Sequence, residues 1–230
     1  MISFLEKVRT PNYNLTTFNK IRNSMMIFLF GIALGVFSKW LDNMSLNDSI
    51  WWQHILGIID LGNVLSSLGV WILIAVCISI YSNSPLRASI NVFIFFLGMC
   101  VSYHIYTIVF AGFNPMNYML IWYGITLISP FMAFVCWYAK GNGIIGFIIK
   151  VSIITVMILC CFAIGMWYFD FTSIINTIFF ITTLVVLYDT PKTLIYSLIC
   201  SIVMAYLIRF FILNPLKDPL PITLVIHSTE

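Results

Sequence analysis

IIGFIIKVSIITVMILCCFAIGM, residues 144–166, is an apolar run carrying a single charge, Lys150. A helix needs about 20 such residues to cross the ~30 Å hydrocarbon core of a bilayer. Working outward, the same pattern recurs along the 230-residue chain, at Asn23–Trp40, Val64–Tyr81, Ala88–Ala111, Asn117–Tyr138, Phe171–Tyr188 and Thr193–Leu213. Hydrophobic residues make up 61% of the chain and charged residues 8%, with a mean hydropathy of +1.03. A water-soluble core cannot hide that much apolar surface in a chain of this size, so lipid is the expected solvent. Lipid leaves no partner for free backbone groups, which restricts the spans to helices or a closed barrel. The runs are continuous rather than alternating, which excludes the barrel. The expected fold is an all-α polytopic bundle of about seven spans, in a bacterial cytoplasmic membrane.

Basic residues set the expected direction of threading. Lys7, Arg9, Lys20 and Arg22 precede the first span. Arg87, Lys140 and Lys192 fall in every second loop thereafter, and the loops between them lack basic residues apart from Lys39 at a span edge. The positive-inside rule then puts the N-terminal segment 1–22 in the cytoplasm, the transmembrane domain over 23–213, and the tail 214–230 outside. No small-residue cleavage site follows the first span, so it reads as a retained signal anchor. The tail holds Pro215, Pro219 and Pro221 and is not expected to continue the last helix. Ile50–Leu61 (IWWQHILGIIDL) is too broken by polar residues to span. It reads as an outer interfacial helix, with Trp51 and Trp52 at the headgroup level. Trp40, Trp122, Trp137, Trp167 and Tyr168 cluster at other span edges. No internal repeat is visible in the sequence.

The chemistry-bearing residues are few. Cys77, Cys100, Cys136, Cys160, Cys161 and Cys200 all lie in apolar runs without metal-binding or disulfide spacing, and read as small packing residues. Gly31 and Gly35 form a GxxxG pair that serves either packing within the bundle, its commoner use, or contact with a partner subunit. Pro130 is expected to kink the fourth span and to open a cavity there. His104 is an ionisable group at membrane depth and should face protein or a cavity. Lys150 is expected to snorkel to the cytoplasmic edge, and Arg209 to the outer one. Asn91 and Asn176 are expected to bridge helices.

With this threading, Lys39, Asp42, His54, Asp60, His104, Asp170 and Arg209 all map to the outer half. Together with Tyr103 and Tyr106 they suggest a pocket for a small polar solute, with His104 as anchor and Asp60 and Arg209 as charged pocket or gate groups. Rim solvation accounts for the same residues without a ligand. Absences narrow the chemistry. Glutamate occurs only at Glu6 and Glu230, so no buried Glu is available to couple an ion. HExxH, GxSxG and Walker A patterns are missing. Neither an enzyme nor a nucleic-acid partner is expected, and no metal or cofactor. Asn43 and Asn47 fit glycosylation acceptors, relevant only in a eukaryotic secretory pathway.

The stretches Gly35-Val-Phe-Ser-Lys39-Trp-Leu-Asp42, Tyr81-Ser-Asn-Ser-Pro-Leu-Arg87 and Trp137-Tyr-Ala-Lys-Gly141 resemble turns of small, uncharacterised multi-pass membrane proteins of Gram-positive bacteria. The resemblance implies a helical membrane protein and no particular activity. The outer pocket is similar, at the level of fold alone, to substrate-binding subunits of energy-coupling-factor importers, which implies a separate ATPase partner. The chain departs from them in its seven spans rather than six, and in lacking a clear small-residue coupling motif. Two functions are therefore expected: a non-enzymatic transport component, or an accessory or immunity-type protein that acts through helix contacts without a ligand.

Overall fold

A computed structural model describes residues 6–12, 16–44, 51–165 and 168–213. The tail from 214 onward, Asn47 and Trp167 lie outside them. The described residues form helices with a single short hairpin. The elements are α1 (Thr17–Asp42), α2 (Trp51–Ile59), α3 (Leu61–Ser66), α4 (Leu68–Tyr81), α5 (Pro85–Tyr106), α6 (Met116–Trp137), α7 (Gly143–Cys161), β1 (Phe162–Ile164), β2 (Phe169–Phe171), α8 (Ile174–Leu187) and α9 (Pro191–Ile208). Both α5 and α9 end in a wide π-turn, Thr107–Ala111 and Arg209–Leu213.

Five helices are long and apolar enough to cross a membrane: Thr17–Asp42, Pro85–Ala111, Met116–Lys140, Gly143–Cys161 and Pro191–Phe211. Two shorter apolar helices, α4 and α8, stand where spans two and six were expected. Large apolar side chains lie open along the long helices, among them Leu127 at 74% exposure, Phe131 at 67% and Ile144 at 72%. Water-soluble monomers rarely expose contiguous apolar surface on this scale, whereas lipid tails cover it without penalty.

The chain clusters into two compact units, Met1–Ser66 with Ala75–Tyr138, and Ser67–Ile74 with Ala139–Glu230. In the first, α1 packs on α5 and α5 on α6. A Cβ on Gly31 would run into the backbone of Phe95, and one on Gly35 into Met99 and the Ser102 hydroxyl. A Cβ on Gly98 would meet the Phe28 carbonyl oxygen at 2.8 Å. Small residues on both helices thus bring the two backbones together. The matched pairs advance together along both helices: Ser24 with Asn91, Gly31 with Phe95, Asp42 with Tyr103. So α1 and α5 are parallel. The pairs Ser89–Pro130, Cys100–Thr126 and His104–Tyr123 run in opposite senses, so α6 is antiparallel to α5.

Pro130 sits inside α6, and the helix continues through it. Proline offers no N–H to the Thr126 carbonyl. The Ser129 hydroxyl donates to that carbonyl instead, at 2.8 Å.

The second unit also contains a parallel pair of long helices. Lys150 pairs with Asp189, Ser201 Oγ donates to the Val151 carbonyl at 3.0 Å, and Arg209 Nε donates to the Ile164 carbonyl at 3.0 Å. These contacts also advance together, so α7 and α9 are parallel, packed through the buried small residues Ser197, Ser201 and Ala205. Between the helices of each parallel pair the chain leaves one long helix at its far end and re-enters the next at the near end, which makes the intervening segment a return stroke. Each return contains a 14-residue helix, α4 or α8. Each is followed by three residues and a proline: Ser82-Asn83-Ser84-Pro85 and Tyr188-Asp189-Thr190-Pro191. Ser84 and Thr190 cap the next helix by accepting from Arg87 N and Thr193 N, both at 3.3 Å. The two parallel pairs thus share the length of their return segments and their corner chemistry, while the return helices differ: α8 lies in the same compact unit as its pair, whereas Leu68–Ile74 of α4 clusters with the second unit. Lengths and turn chemistry carry the likeness; apolar side chains facing lipid are interchangeable.

Two expected boundaries change. The run 144–166 is helical only to Cys161. Phe162–Ile164 then pairs antiparallel with Phe169–Phe171, closed by Gly165 N–H to Tyr168 O at 2.9 Å. The two strands pair their facing backbone groups, and Phe162 packs against Phe169, Phe171 and Phe180 at ring separations of 4.9, 5.5 and 5.0 Å. The expected helix near 50–61 is helical over Trp51–Ile59 and ends at Asp60, whose left-handed φ of 53° separates α2 from α3.

Candidate functional site

At the C-terminal ends of α1 and α5, polar and aromatic side chains form a crown. Tyr103 lies on the face of α5 toward α1, and its hydroxyl donates to Asp42 Oδ2 at 2.9 Å. Lys39, one turn before Asp42, sits with its ammonium 3.8 Å from the same carboxylate oxygen. That ammonium also lies 5.4 Å from the ring centroids of both Tyr103 and Phe113, within the ~6 Å range of a cation–π contact. Tyr118, from the first turn of α6, packs on Tyr103 with centroids 6.3 Å apart.

His104, next along α5, points to α6 and to the α5–α6 connection. Its Nδ1 is 2.8 Å from the Tyr123 hydroxyl and its Nε2 is 2.8 Å from Asn114 Oδ1. An amide oxygen only accepts, so Nε2 is the donor of that pair. Gly112, at φ 75°, supplies the left-handed turn that brings Phe113 and Asn114 back over the crown. The sequence marked His104 as the anchor; Tyr123 and Asn114, which hold it, carry no periodic or motif signal.

The proposed pocket set divides. Tyr103 and His104 stand together in the crown. Tyr106 does not join them: it stacks on Phe110 with centroids 4.5 Å apart and lines a wholly apolar groove of about 540 Å³ with Phe28, Ile32 and Val36. Asp60 is spent locally, accepting from Asn63 Nδ2 at 2.7 Å at the α2–α3 break. Arg209 belongs to the second unit, where its Nε is committed to Ile164.

The opposite end of the first unit is tied by a hydrogen-bonded knot. Arg87 donates to the Lys20 carbonyl at 2.7 Å and to Ser24 Oγ at 2.5 Å. Ser24 donates to Asn91 Oδ1 at 3.0 Å, and Asn91 Nδ2 donates to Ser82 Oγ at 3.1 Å. Trp137 Nε1 donates to the Ser82 carbonyl at 2.7 Å. Arg9 lies 4.1 Å over the Trp137 ring and donates to the carbonyls of Trp137 and Ile80. Asn91 thus bridges helices, whereas Asn176 bonds within its own helix start, to Thr172.

In the second unit the main polar feature is Lys150. It does not snorkel to an open edge: its side chain is 3% exposed and paired with Asp189, at 36%. The α8–α9 turn reaches Lys150 first, because α9 starts beside the second turn of α7. Sequence reasoning passed over Asp189 as a loop residue. The signal available was the need of a buried lysine for a counter-charge.

The described residues hold no group of three or more His, Cys, Asp or Glu side chains that could bind a metal. Comparison with known proteins finds no matching family model, no similar curated protein and no similar solved structure.

Proposed function

We propose that the chain is a non-enzymatic transport component, a solute-binding or permease subunit of the bacterial cytoplasmic membrane. The observation that supports this is the recurring parallel pair: α1 with α5 and α7 with α9, each pair linked by a segment that holds a 14-residue helix. Internal repeats of this kind recur among membrane carriers, where one half moves against the other to expose a site to alternate sides. In this reading α4 and α8 also cross the membrane, giving seven crossings with the N-terminus in the cytoplasm. The crown then opens outward, and Arg87, Lys140 and Lys192 mark the cytoplasmic side, as the positive-inside rule requires. A separate ATPase subunit would supply the energy.

The alternative, an accessory or immunity-type protein acting through helix contacts, draws least support from Gly31 and Gly35. The face it would use is already packed on Phe95, Met99 and Ser102 of the same chain.

Native mass spectrometry of the gently extracted protein tests the proposal. A retained small solute or ATPase subunit supports it. His104→Ala should abolish retention of the solute while the protein stays monodisperse. A chain that carries lipid alone, and takes up no member of a broad solute panel in proteoliposomes, would falsify it.

A further inference from the structure

We propose that the crown is a binding site for a small organic ammonium ion, in which the Lys39 ammonium is a tethered occupant that the free ligand displaces. The proposal rests on the transport reading and names the substrate class.

The box offers what a cation needs. It has one carboxylate, Asp42, and two ring faces, Tyr103 and Phe113, arranged around a single point already occupied by a positive nitrogen. The Tyr103 hydroxyl proton is directed at Asp42, which aligns the carboxylate and leaves the ring face for the cation. An anion would find the reverse of its requirements here, because the carboxylate faces the site and the Tyr103 hydroxyl is turned toward Asp42.

The fit is loose for a primary ammonium. Hydrogen bonds from a charged N–H to a carboxylate run about 2.7–2.9 Å, whereas Lys39 Nζ stands 3.8 Å from Asp42 Oδ2. Both ring centroids are 5.4 Å away. Quaternary ammonium ions, whose methyl groups hold the nitrogen off carboxylates and ring faces at such distances, are the usual guests of aromatic boxes. Phe113 is 53% exposed and rides on the short connection after Gly112, so one wall of the box is open. A displaced Lys39 can swing its amine out to water on its flexible stem.

A tethered competitor lowers apparent affinity in proportion to the fraction of time it vacates the site. Removing it should therefore strengthen binding. A lysine that merely braces the fold, or that binds an anionic solute, predicts no gain.

The test titrates full-length protein in nanodiscs with tetramethylammonium chloride against sodium chloride at equal ionic strength, by calorimetry. Lys39→Ala is expected to bind tetramethylammonium at least tenfold tighter than wild type, and adding Asp42→Asn to remove at least tenfold of that affinity. No gain in Lys39→Ala, or binding indifferent to Asp42→Asn, overturns the proposal. Lys39→Met, which keeps the stem's packing, serves if the alanine variant is not monodisperse. Should neither fold, the wild-type chain decides: saturable binding weakened at least threefold by Phe113→Leu upholds the site, and its absence overturns it. If tetramethylammonium binds as expected but proteoliposomes move no solute, the transport reading fails and the site stands. If they move another solute class with which tetramethylammonium does not compete, the site fails and transport stands.

Discussion

Lys150, in the second turn of α7, forms an ion pair with Asp189, in the turn that opens α9. The lysine is buried and the carboxylate is partly open, so the two partners are not equivalent. Asp189→Asn strands a buried charge, which in a fully buried pair costs about 3–5 kcal/mol. The partial exposure of Asp189 brings the expectation down to roughly 2 kcal/mol. Lys150→Met removes the charge and keeps the bulk, so Lys150→Met/Asp189→Asn should be more stable than Asp189→Asn alone. Thermal denaturation in detergent, followed by size-exclusion recovery, reads the order of the three.

The α1–α5 seam depends on its glycines. Gly31→Leu and Gly98→Leu place side chains against backbone that cannot move aside. Overpacking of this kind costs about 1–3 kcal/mol or more, and monodisperse yield should fall sharply. Gly124→Ala, with nothing within 4 Å of the added carbon, should be neutral or stabilising by up to about 1 kcal/mol. Equal behaviour of the three variants would show that the seam is not close-packed.

Ser129 matters through Pro130. Ser129→Ala leaves the Thr126 carbonyl without the hydroxyl it accepts from, a loss of about 1 kcal/mol. Pro130→Ala returns the missing backbone donor, so the double variant should recover most of that stability. Denaturation midpoints of the two single variants and the double form the cycle that checks this.

Threading is open to chemical labelling. None of the six native cysteines should react with a membrane-impermeant maleimide in intact cells, since each lies in an apolar helix and the exposed one, Cys200, faces the lipid side of α9. In a cysteine-free background, Asn114→Cys should label from outside, and Asn142→Cys only after permeabilisation. Labelling of both from the same side would remove the α6 crossing.

Helix existence was legible in the apolar runs, and several starts in local chemistry. Ser84-Pro85 and Thr190-Pro191 write a cap and a first-turn proline into the sequence. The hairpin was hidden because Phe162-Ala-Ile164 is as apolar as the helix before it, and composition does not distinguish a paired strand from one more turn. The division of the pocket set was equally out of reach. Tyr103 and Tyr106 are three residues apart, yet the first meets Asp42 and the second Phe110. Which neighbour each ring meets depends on where α1 and the π-turn lie, and those are long-range facts. The likeness of the two parallel pairs was out of reach for a related reason: they share return length and corner chemistry, and little else.

At 14 residues, α8 is about 21 Å long, well below the ~30 Å of hydrocarbon that a bilayer presents. A bilayer meets such a deficit by dimpling, drawing headgroups and water toward the midplane beside that helix. In the seven-span reading proposed above, the dry barrier is thinned beside α8 and beside the equally short α4, and a polar molecule crossing near either would shed its hydration over a shorter distance. In a transport component of the kind proposed, acyl-chain length would thereby become a control on working rate, one set by the host membrane.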